Sequence, residues 1–251
     1  MKGEESGSSR LQLDAEPMAA FFDARAVTYE AHMRTTVADF EGFYRAIAQA
    51  VPETAAPIEI LDLGCGTGLE LAAILDRVPN ARVTVVDLSG EMLSRLASTY
   101  PDAGSRMTYV HGSYLDLPIE PGRWDVILAV MTLHHLTRNE KVKLYRTIRA
   151  GLAPGRRYVE GDYVVDDEEE AAAVARYEEL RSAHPQIARG SYHIDLPVSV
   201  ETQHGLLADA GLEATVTWTA GQAAVFAATP RSHAGRQQKV KGKEGHEGRD
   251  P

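Results

Sequence analysis

The sequence predicts an α/β fold built on a doubly wound, mostly parallel sheet. A strand, a glycine turn, a helix and a second strand follow one another over residues 58–87. Residues 124–130 form a near-continuous apolar run, which is typical of a strand buried on both faces of a parallel sheet. The chain then closes with two β-rich segments, 212–219 and 222–228, predicted to pair as a hairpin.

Composition excludes several classes of protein. The chain has 251 residues, a net charge of −10 and a single cysteine, Cys65, which excludes a disulfide framework and a cysteine-based metal cluster. The acidic balance disfavours an extended nucleic-acid surface, because phosphate binding relies on clustered lysine and arginine. The sequence lacks both an 18-residue apolar run and a hydrophobic signal core, so we expect a cytoplasmic protein without membrane contact.

The N-terminal region is predicted to be helical. Apolar residues step by three or four positions from Tyr29 to Val51, which predicts one long helix. This helix either covers the edge of the sheet or forms a lid over a site. The predicted parts of the chain are a disordered N-terminus (1–14), a helical lid segment (15–57), the main domain (58–229) with an insertion (166–198), and a disordered tail (230–251).

The glycine turn and the acid after the second strand predict a ligand site. Gly64, Gly66 and Gly68 lack the Cβ that would keep a ligand away from the backbone. Asp87 follows about 20 residues later, where such folds bond a ribose through a carboxylate. The glycine spacing is not that of a dinucleotide site, and Asp62 beside the turn would repel a pyrophosphate. An adenosine-type cofactor is therefore predicted in place of NAD.

The later elements continue the alternation of strands and helices. Ser89 is predicted to cap a helix, and Thr137 with Glu140 forms a capping box at the start of another. Further elements are predicted at 106–111 (strand), 157–165 (strand), 166–184 (helix) and 199–211 (capped helix). Asp162, near the end of the fifth strand, is interpreted as a solvated acid in preference to a substrate contact.

The run LDLGCGTG at 61–68, followed by Asp87, resembles motif I and the acidic loop of class I S-adenosylmethionine-dependent methyltransferases. The resemblance covers about residues 20–228 and is strongest over 58–136. It implies a seven-stranded Rossmann-like sheet with S-adenosyl-L-methionine as cofactor. On this basis Asp87 would bind the ribose, the three glycines would admit the methionine portion, and Asp62 would help to place its ammonium group.

The resemblance also implies contacts at the methionine and adenine ends. The segment YEAHMR at 29–34 occupies the place of a similar segment in relatives, so Tyr29 and Arg34 are expected at the cofactor. Arg34 would bind its carboxylate, and a plain surface position is the equal alternative. Leu88 and Met92 are expected to flank the adenine, with a core position as the alternative.

Two further pairs are expected near the adenine and the sulfur. Ser113 stands where relatives place an aspartate that bonds the adenine amino group, and Tyr114 follows it. A serine hydroxyl is a weaker acceptor than a carboxylate, which puts this contact in question. Val130 and Met131, at the end of the fourth strand, are expected to border the sulfonium.

His134 and His135 are the candidate catalytic residues. Either is expected to act as general base for a hydroxyl or amine, or both pack and orient the loop. No metal site is expected, because adjacent histidines on a strand point apart. By the resemblance, the insertion selects the substrate, and its polar candidates are Arg189, Tyr192 and His193.

These expectations together predict transfer of a methyl group to an oxygen or nitrogen of a small-molecule acceptor. Nucleic acid is a disfavoured partner, and a homodimer is compatible with the sequence. Residues 199–213 also resemble carboxy-S-adenosylmethionine synthase, which remodels the cofactor itself and for which Arg189 is the comparable cation. A module that binds the cofactor without turnover is the other alternative.

Overall fold

The computed structural model describes residues 16–189 and 192–231. Within them, seven strands form one sheet in the order β3-β2-β1-β4-β5-β7-β6. Strands β1 to β5 run parallel, and β7 is antiparallel to both β5 and β6. The strands are β1 Glu59–Leu63, β2 Arg82–Asp87, β3 Met107–His111, β4 Trp124–Val130, β5 Leu152–Tyr163, β6 Leu212–Ala220 and β7 Ala223–Pro230. The predicted doubly wound, mostly parallel sheet is confirmed.

Eight α-helices and three short 3-10 segments connect and cover the described strands. The α-helices are α1 Met18–Arg25, α2 Tyr29–Thr36, α3 Phe40–Ala50, α4 Leu71–Arg77, α5 Gly90–Thr99, α6 Arg138–Gly151, α7 Asp167–Ala183 and α8 Val200–Asp209. The 3-10 segments are Pro101–Arg106, Leu133–His135 and Pro185–Arg189. None of these described helices is both long and apolar enough to span a bilayer. The cytoplasmic location stays a prediction.

The core lies on both faces of the sheet. Along β4, Val126 and Leu128 pack into one hydrophobic cluster, whereas Ile127 and Ala129 pack into the other. All four side chains are buried, because helices cover both faces of a central parallel strand. The interpretation of 124–130 as a strand buried on both faces is therefore confirmed.

The predicted long helix over 29–51 is wrong, because the chain breaks between α2 and α3. Val37 is extended and Asp39 adopts a left-handed conformation with φ of +46°. The Asp39 carboxylate then accepts a hydrogen bond from the Gly42 N–H at 3.2 Å and caps α3. The apolar periodicity continues across this break. The extended Val37 nevertheless ends α2, and the acidic N-cap Asp39 begins α3.

Helix α3 packs against the sheet through a close contact at Gly161. A Cβ at this position would lie 2.8 Å from both Ile47 Cδ1 and Phe43 Cζ, so glycine allows the helix to approach β5. Helix α3 therefore covers the sheet, while α1 and α2 lie over the carboxyl ends of the strands.

Several other boundaries follow the sequence prediction, and some differ. Ser89 caps α5, and Thr137 with Glu140 forms the predicted capping box on α6. Strand β5 begins at Leu152, earlier than the predicted residue 157, because Leu152 already pairs with Trp124 before a shift in register. Strand β3 begins one residue later than predicted and β7 extends to Pro230. The predicted disorder of 1–14 and of the tail beyond 231 lies outside the described residues.

A buried polar network connects the sheet to α6 and α8. Glu160 accepts hydrogen bonds from the hydroxyls of Tyr145 (3.1 Å) and Tyr158 (2.8 Å) and from Gln203 Nε2 (3.0 Å). Burial raises the pKa of Glu160 to about 7, against the opposing influence of Lys141. Lys141 is itself buried and donates to Gln203 Oε1 at 3.3 Å.

We predict that Glu160 makes the stability of the protein depend on pH. An ordinary glutamate has a pKa of 4.5, whereas Glu160 in the folded chain has a pKa of about 7. At pH values between 4.5 and about 7 the folded state binds more protons than the unfolded state. The free energy of unfolding therefore falls as the pH rises through this window. Relative to Glu160→Gln, the wild type should lose on the order of 3 kcal/mol of unfolding free energy across this window. Urea unfolding at pH 4.5 and pH 7.5 measures it, and parallel curves for the two proteins would contradict it.

Candidate functional site

The turn after β1 requires glycine at its corners. Gly64, Gly66 and Gly68 have φ values of +70°, +51° and +76°, a region that side chains disfavour. A Cβ on Gly64 would also collide with the side chain of Thr132, and one on Gly68 would lie 3.0 Å from Leu96 Cδ1. The left-handed backbone and the lack of room for a Cβ therefore both require glycine in this turn. The predicted tight glycine turn is confirmed.

Asp87 connects this turn to the end of β2. Its carboxylate accepts hydrogen bonds from the N–H groups of Gly66 and Ser89, each at 2.8 Å. Burial raises the pKa of Asp87, while these two bonds favour its charged form. The residue lines a first cavity at the carboxyl ends of the parallel strands. Asp87 therefore lies where a carboxylate could accept hydrogen bonds from a ribose.

Two buried acids face each other beneath the turn. Asp62 is fully buried, and no N–H or hydroxyl group of the described residues donates to its carboxylate, which leaves the Glu70 carboxyl as its polar neighbour. Burial raises the pKa of Asp62 to about 6, and burial together with Asp62 raises the pKa of Glu70 well above its ordinary value. Sharing one proton stabilises such a pair. Asp62 lines neither of the two cavities described here, so its contact with an ammonium group stays a prediction.

The first cavity collects most of the residues expected around an adenosine. Leu88, Ser113 and Tyr114 line it together with Asp87. The Ser113 hydroxyl accepts a hydrogen bond from the N–H of Leu115 at 3.1 Å, which shapes the local turn. The expected roles of these residues toward an adenine stay predictions.

Met92 does not reach either of the two cavities. Its side chain is 1% exposed and lies within the fold at the start of α5. The structure therefore favours the alternative interpretation of Met92 as a core residue over a contact with adenine.

Helices α1 and α2, which we call the N-terminal cover, lie over the glycine turn. The ring of Tyr29 approaches to 3.5 Å of the point where a Cβ on Gly66 would lie, and it lines the second cavity. Asp23 on α1 accepts a hydrogen bond from the Ser89 hydroxyl at 2.6 Å. The cover is thereby connected to the same loop that contains Asp87.

The structure does not bring Arg34 to the site. Its guanidinium donates to Glu41 at 2.7 Å, lies over the ring of Phe40 and is 55% exposed. Arg34 lies five residues after Tyr29, which places it about 140° around the helix from Tyr29. Its side chain therefore projects from a different face of α2. The plain surface position is the alternative that the structure supports.

The end of β4 bends towards a second cavity. Met131 has a left-handed φ of +49° and donates its N–H to the carbonyl of Gly161 at 2.8 Å. Its side chain lines the second cavity, whereas Val130 is buried in the sheet and does not. Of the two residues expected at the sulfonium, Met131 therefore lines the second cavity and Val130 does not.

His134 is held by the carboxylate of Asp162, which was predicted to be solvated. Asp162 is 3% exposed, and it accepts hydrogen bonds from the backbone N–H of His134 at 2.9 Å and from its Nδ1 at 2.5 Å. Burial raises the pKa of Asp162, but His134 and Lys141 outweigh this effect and hold it below the ordinary value. The prediction of a solvated acid is wrong, because the end of β5 lies under the turn that contains His134.

The two adjacent histidines converge instead of pointing apart. They lie on a 3-10 turn, not a strand, and their ring centroids are 4.0 Å apart. Burial lowers the pKa of His135 to about 4, with His134 acting in the same direction. The expectation that neighbouring histidines diverge is therefore wrong, because it assumed an extended backbone.

Residues 192–198, which we call the strap, pass over these histidines. Asp195 lies 3.2 Å from His135 Nδ1, and the Leu196 N–H donates to the carbonyl of His134 at 2.6 Å. His193 stacks on Phe21 of the cover, with ring centroids 3.5 Å apart. The strap therefore joins the cover to the histidine turn.

The strap also determines where the predicted substrate candidates lie. Tyr192 lines the first cavity and His193 the second. The side chain of Arg189 lies outside the described part of the chain. The roles of these candidates in substrate selection stay predictions.

The second cavity has a volume of about 580 Å³ and adjoins the first. His135 lines both cavities, so the two share a wall. Polar groups form one end of the second cavity, and aromatic and aliphatic groups form much of the rest. Its lining includes Phe21, Tyr29, Met131, His134, Tyr163 and Asp195. A ligand in the first cavity can thus present a reactive group beside an imidazole.

Two residues of the site were not anticipated as such. Glu70 follows the glycine turn, and its burial against Asp62 depends on how α4 begins. Asp195 is two residues beyond His193, and this His-x-Asp pattern in the insertion was a usable signal. The contact of Asp195 with His135 spans about sixty residues of sequence and follows only from the path of the strap.

Residues 60–155 match the model of a family described as a methyltransferase domain. The chain is 30% identical over 118 residues to malonyl-[acyl-carrier protein] O-methyltransferase of Chlorobium phaeovibrioides, covering 45% of this chain and 43% of that protein. It is 26% identical over 156 residues to 27-O-demethylrifamycin SV methyltransferase of Amycolatopsis mediterranei, covering 61% and 53% respectively. The chain thus spans about half the length of these curated relatives.

Solved structures support the fold. A complex of DhpI with SAH matches with a TM-score of 0.62 at 17% identity, covering 85% of this chain and 95% of that one. Human N-acetylserotonin methyltransferase in complex with SAM matches with a TM-score of 0.59 at 15% identity, covering 84% and 57%. At these identities the likeness shows the fold.

We predict that Gly64→Ala destabilises the protein by about 3 kcal/mol, from left-handed strain plus the collision with Thr132. Gly122→Ala is the matched control, since Gly122 has a φ of +68° and nothing within 4 Å of its Cβ position. Urea unfolding of both variants separates the two contributions. Equal losses of unfolding free energy would show that the contact with Thr132 contributes nothing.

We predict that Asp87→Ala weakens the binding of S-adenosylhomocysteine by about 10- to 100-fold, the range for hydrogen bonds to a charged group. Isothermal titration calorimetry measures this affinity. Asp116→Ala is the control, because it removes an exposed acid of the same charge outside the lining of both cavities. An unchanged affinity in Asp87→Ala would remove Asp87 from the cofactor site.

Proposed function

Because this chain carries a class I S-adenosylmethionine-dependent methyltransferase domain, we propose that it methylates a hydroxyl oxygen of a small molecule. S-adenosyl-L-methionine is its cofactor. The names of two relatives, a malonyl-[acyl-carrier protein] O-methyltransferase and a 27-O-demethylrifamycin SV methyltransferase, support oxygen as the accepting atom. A cavity of about 580 Å³ is within the range for drug-sized ligands and supports a small acceptor.

The residues present fit the cofactor at its ribose and along the glycine turn. Asp87 lines the first cavity, and two backbone hydrogen bonds favour its charged form against the effect of burial, which raises its pKa. The backbone at Gly64 lines the same cavity. S-adenosylmethionine supplies a methyl group on a positively charged sulfur, which is already activated for transfer to a nucleophile. The chain therefore has to bind the cofactor and the acceptor, orient them towards each other and exclude water.

The strongest support for a hydroxyl acceptor comes from His134. Its Nδ1 is held by Asp162, so the ring has a fixed orientation at the wall of the second cavity. In the neutral ring the proton then resides on Nδ1, and Nε2 is left as an acceptor. A hydroxyl group has to lose its proton during methylation, and the end of the cavity formed by His134, His135 and Asp195 offers the polar groups that favour this loss.

The cover and the strap would exclude water from the transfer. Phe21 and Tyr29 from the cover and His193 from the strap lie around the same cavity. Orientation of two reactants in a closed site accounts for about 7 to 11 kcal/mol of a barrier in well-oriented systems. Orientation of the cofactor and the acceptor by these segments would thus supply part of the acceleration of methyl transfer.

We predict that Asp162→Asn lowers the rate of methyl transfer about 100-fold, because His134 loses its orientation. The affinity for S-adenosylhomocysteine should stay within about twofold of the wild type, since Asp162 lines neither cavity. Transfer of a labelled methyl group to a library of hydroxylated small molecules identifies the acceptor and gives the rate. Calorimetry gives the affinity.

Asp166→Asn is the matched control for this experiment. Asp166 is an N-cap acid four residues later and lines neither cavity, so its loss should leave the rate within about twofold. Mass spectrometry of the product locates the methyl group. Methylation of nitrogen or carbon, or a filled cofactor site without transfer to any hydroxyl, would overturn the proposed function. A copurified carboxylated cofactor would indicate the cofactor-remodelling alternative.

A further inference from the structure

Three imidazoles converge on one carboxylate at the polar end of the second cavity. The Oδ1 atom of Asp195 lies 3.2 Å from His135 Nδ1, 3.8 Å from His134 Nε2 and 3.8 Å from His193 Nε2. All four residues line the same cavity. Ligand atoms of His134, His135 and Asp195 lie within 4.8 Å of one another. This cluster joins two segments that are about 60 residues apart in the sequence.

The arrangement leaves two hydrogen-bond acceptors facing each other. Asp162 accepts the Nδ1 proton of His134 at 2.5 Å, so Nε2 of the neutral ring carries a lone pair. That lone pair faces a carboxylate oxygen of Asp195, which is also an acceptor. The two atoms are 3.8 Å apart, which leaves room for a proton or a cation that would be attracted to both. Arg25 lines the same cavity but is paired with Glu16 at 3.0 Å.

We propose that His134, His135, His193 and Asp195 bind a divalent transition-metal ion at the acceptor end of the cavity. Ligands at the usual 2.0–2.1 Å from a tetrahedral zinc ion are about 3.3 to 3.4 Å apart. The three distances to the Asp195 oxygen bracket this spacing, so small side-chain movements bring the cluster to a metal-binding geometry. Imidazole-rich sites favour Zn²⁺, Co²⁺ or Fe²⁺, whereas Mg²⁺ and Ca²⁺ favour all-oxygen sites.

Asp162 has the position of an outer partner to this site. Metal-binding histidines commonly donate their second ring N–H to a carboxylate, which fixes the tautomer and the ring orientation. The contact between His134 Nδ1 and Asp162 has this form. The sequence predicted no metal site, because adjacent histidines on a strand point apart. The 3-10 turn, together with the strap, removes that objection.

With a metal ion bound, His134 Nε2 would be a ligand, and the positive charge of the ion would favour loss of the acceptor's proton in place of the free imidazole. This role depends on the proposed function, whereas the existence of the site does not. Asp195 is about half exposed, so the cluster is accessible to ions from solvent. The hydrogen bond from the Leu196 N–H to the His134 carbonyl keeps the strap beside the histidine turn before any ion binds.

Calorimetric titration of the chelator-treated full chain with Zn²⁺ tests the proposal. We expect one ion per chain, and visible d–d absorption of a tetrahedral site when Co²⁺ replaces Zn²⁺. His193→Ala and Asp195→Asn should each weaken Zn²⁺ binding at least tenfold. Asp162→Asn should weaken it by about 10- to 100-fold, as outer partners commonly do. Mg²⁺ should not compete at equal concentration.

His32→Ala is the matched control, because His32 lines the same cavity but lies on α2, outside the cluster. It should bind Zn²⁺ as the wild type does. Absence of saturable binding, or equal losses in His32→Ala and the cluster variants, would overturn the metal site. A chelated protein that takes up no Zn²⁺ yet methylates a hydroxyl would overturn the site and leave the proposed function standing. Stoichiometric Zn²⁺ binding without hydroxyl methylation would overturn the proposed function and leave the metal site standing.

Discussion

The site depends on one constraint, the left-handed backbone between β1 and α4 and its connection to Asp87. Glycine conformation alone would leave this turn without a fixed position. The carboxylate of Asp87 fixes it by accepting the Gly66 N–H, and the same group accepts the Ser89 N–H at the start of the next helical unit. One side chain thus sets the relative position of two successive βα units. Gly64 and Asp87, on the two sides of this connection, both line the first cavity.

The electrostatic character of the site differs between its two halves. Three acids, Asp62, Glu70 and Asp87, lie around the glycine turn, and burial raises the pKa of each. The second half contains imidazoles, which Asp162 and Asp195 orient. A negative environment suits a cofactor that carries a positive sulfur and an ammonium group. The imidazole half is the one that the proposed function assigns to the acceptor, so the two halves differ in their charged groups as the two reactants would.

The local parts of this architecture could be predicted from the sequence and the long-range parts could not. The glycine turn, Asp87 and the fourth strand each carry their signal within a few residues, and all three have the predicted form. Arg34 was left open between the cofactor and the surface, and Asp162 was misjudged, because their surroundings come from elsewhere: Glu41 lies in the next helix, and His134 lies beyond the end of the neighbouring strand. The histidine pair was misjudged because a three-residue 3-10 turn has no clear periodicity. The break at Asp39 shows that apolar spacing can continue through a change of helix.

Ser89 has two bonding duties that belong to different parts of the protein. Its hydroxyl accepts the Met92 N–H at the start of α5 and donates to Asp23 on α1. Separation of the cover from α5 therefore removes the hydrogen-bond partner of the hydroxyl that begins α5, two residues after Asp87. Separation of the cover and fraying of the first turn of α5 are thus energetically coupled, although Asp23 and Ser89 lie 66 residues apart in the sequence.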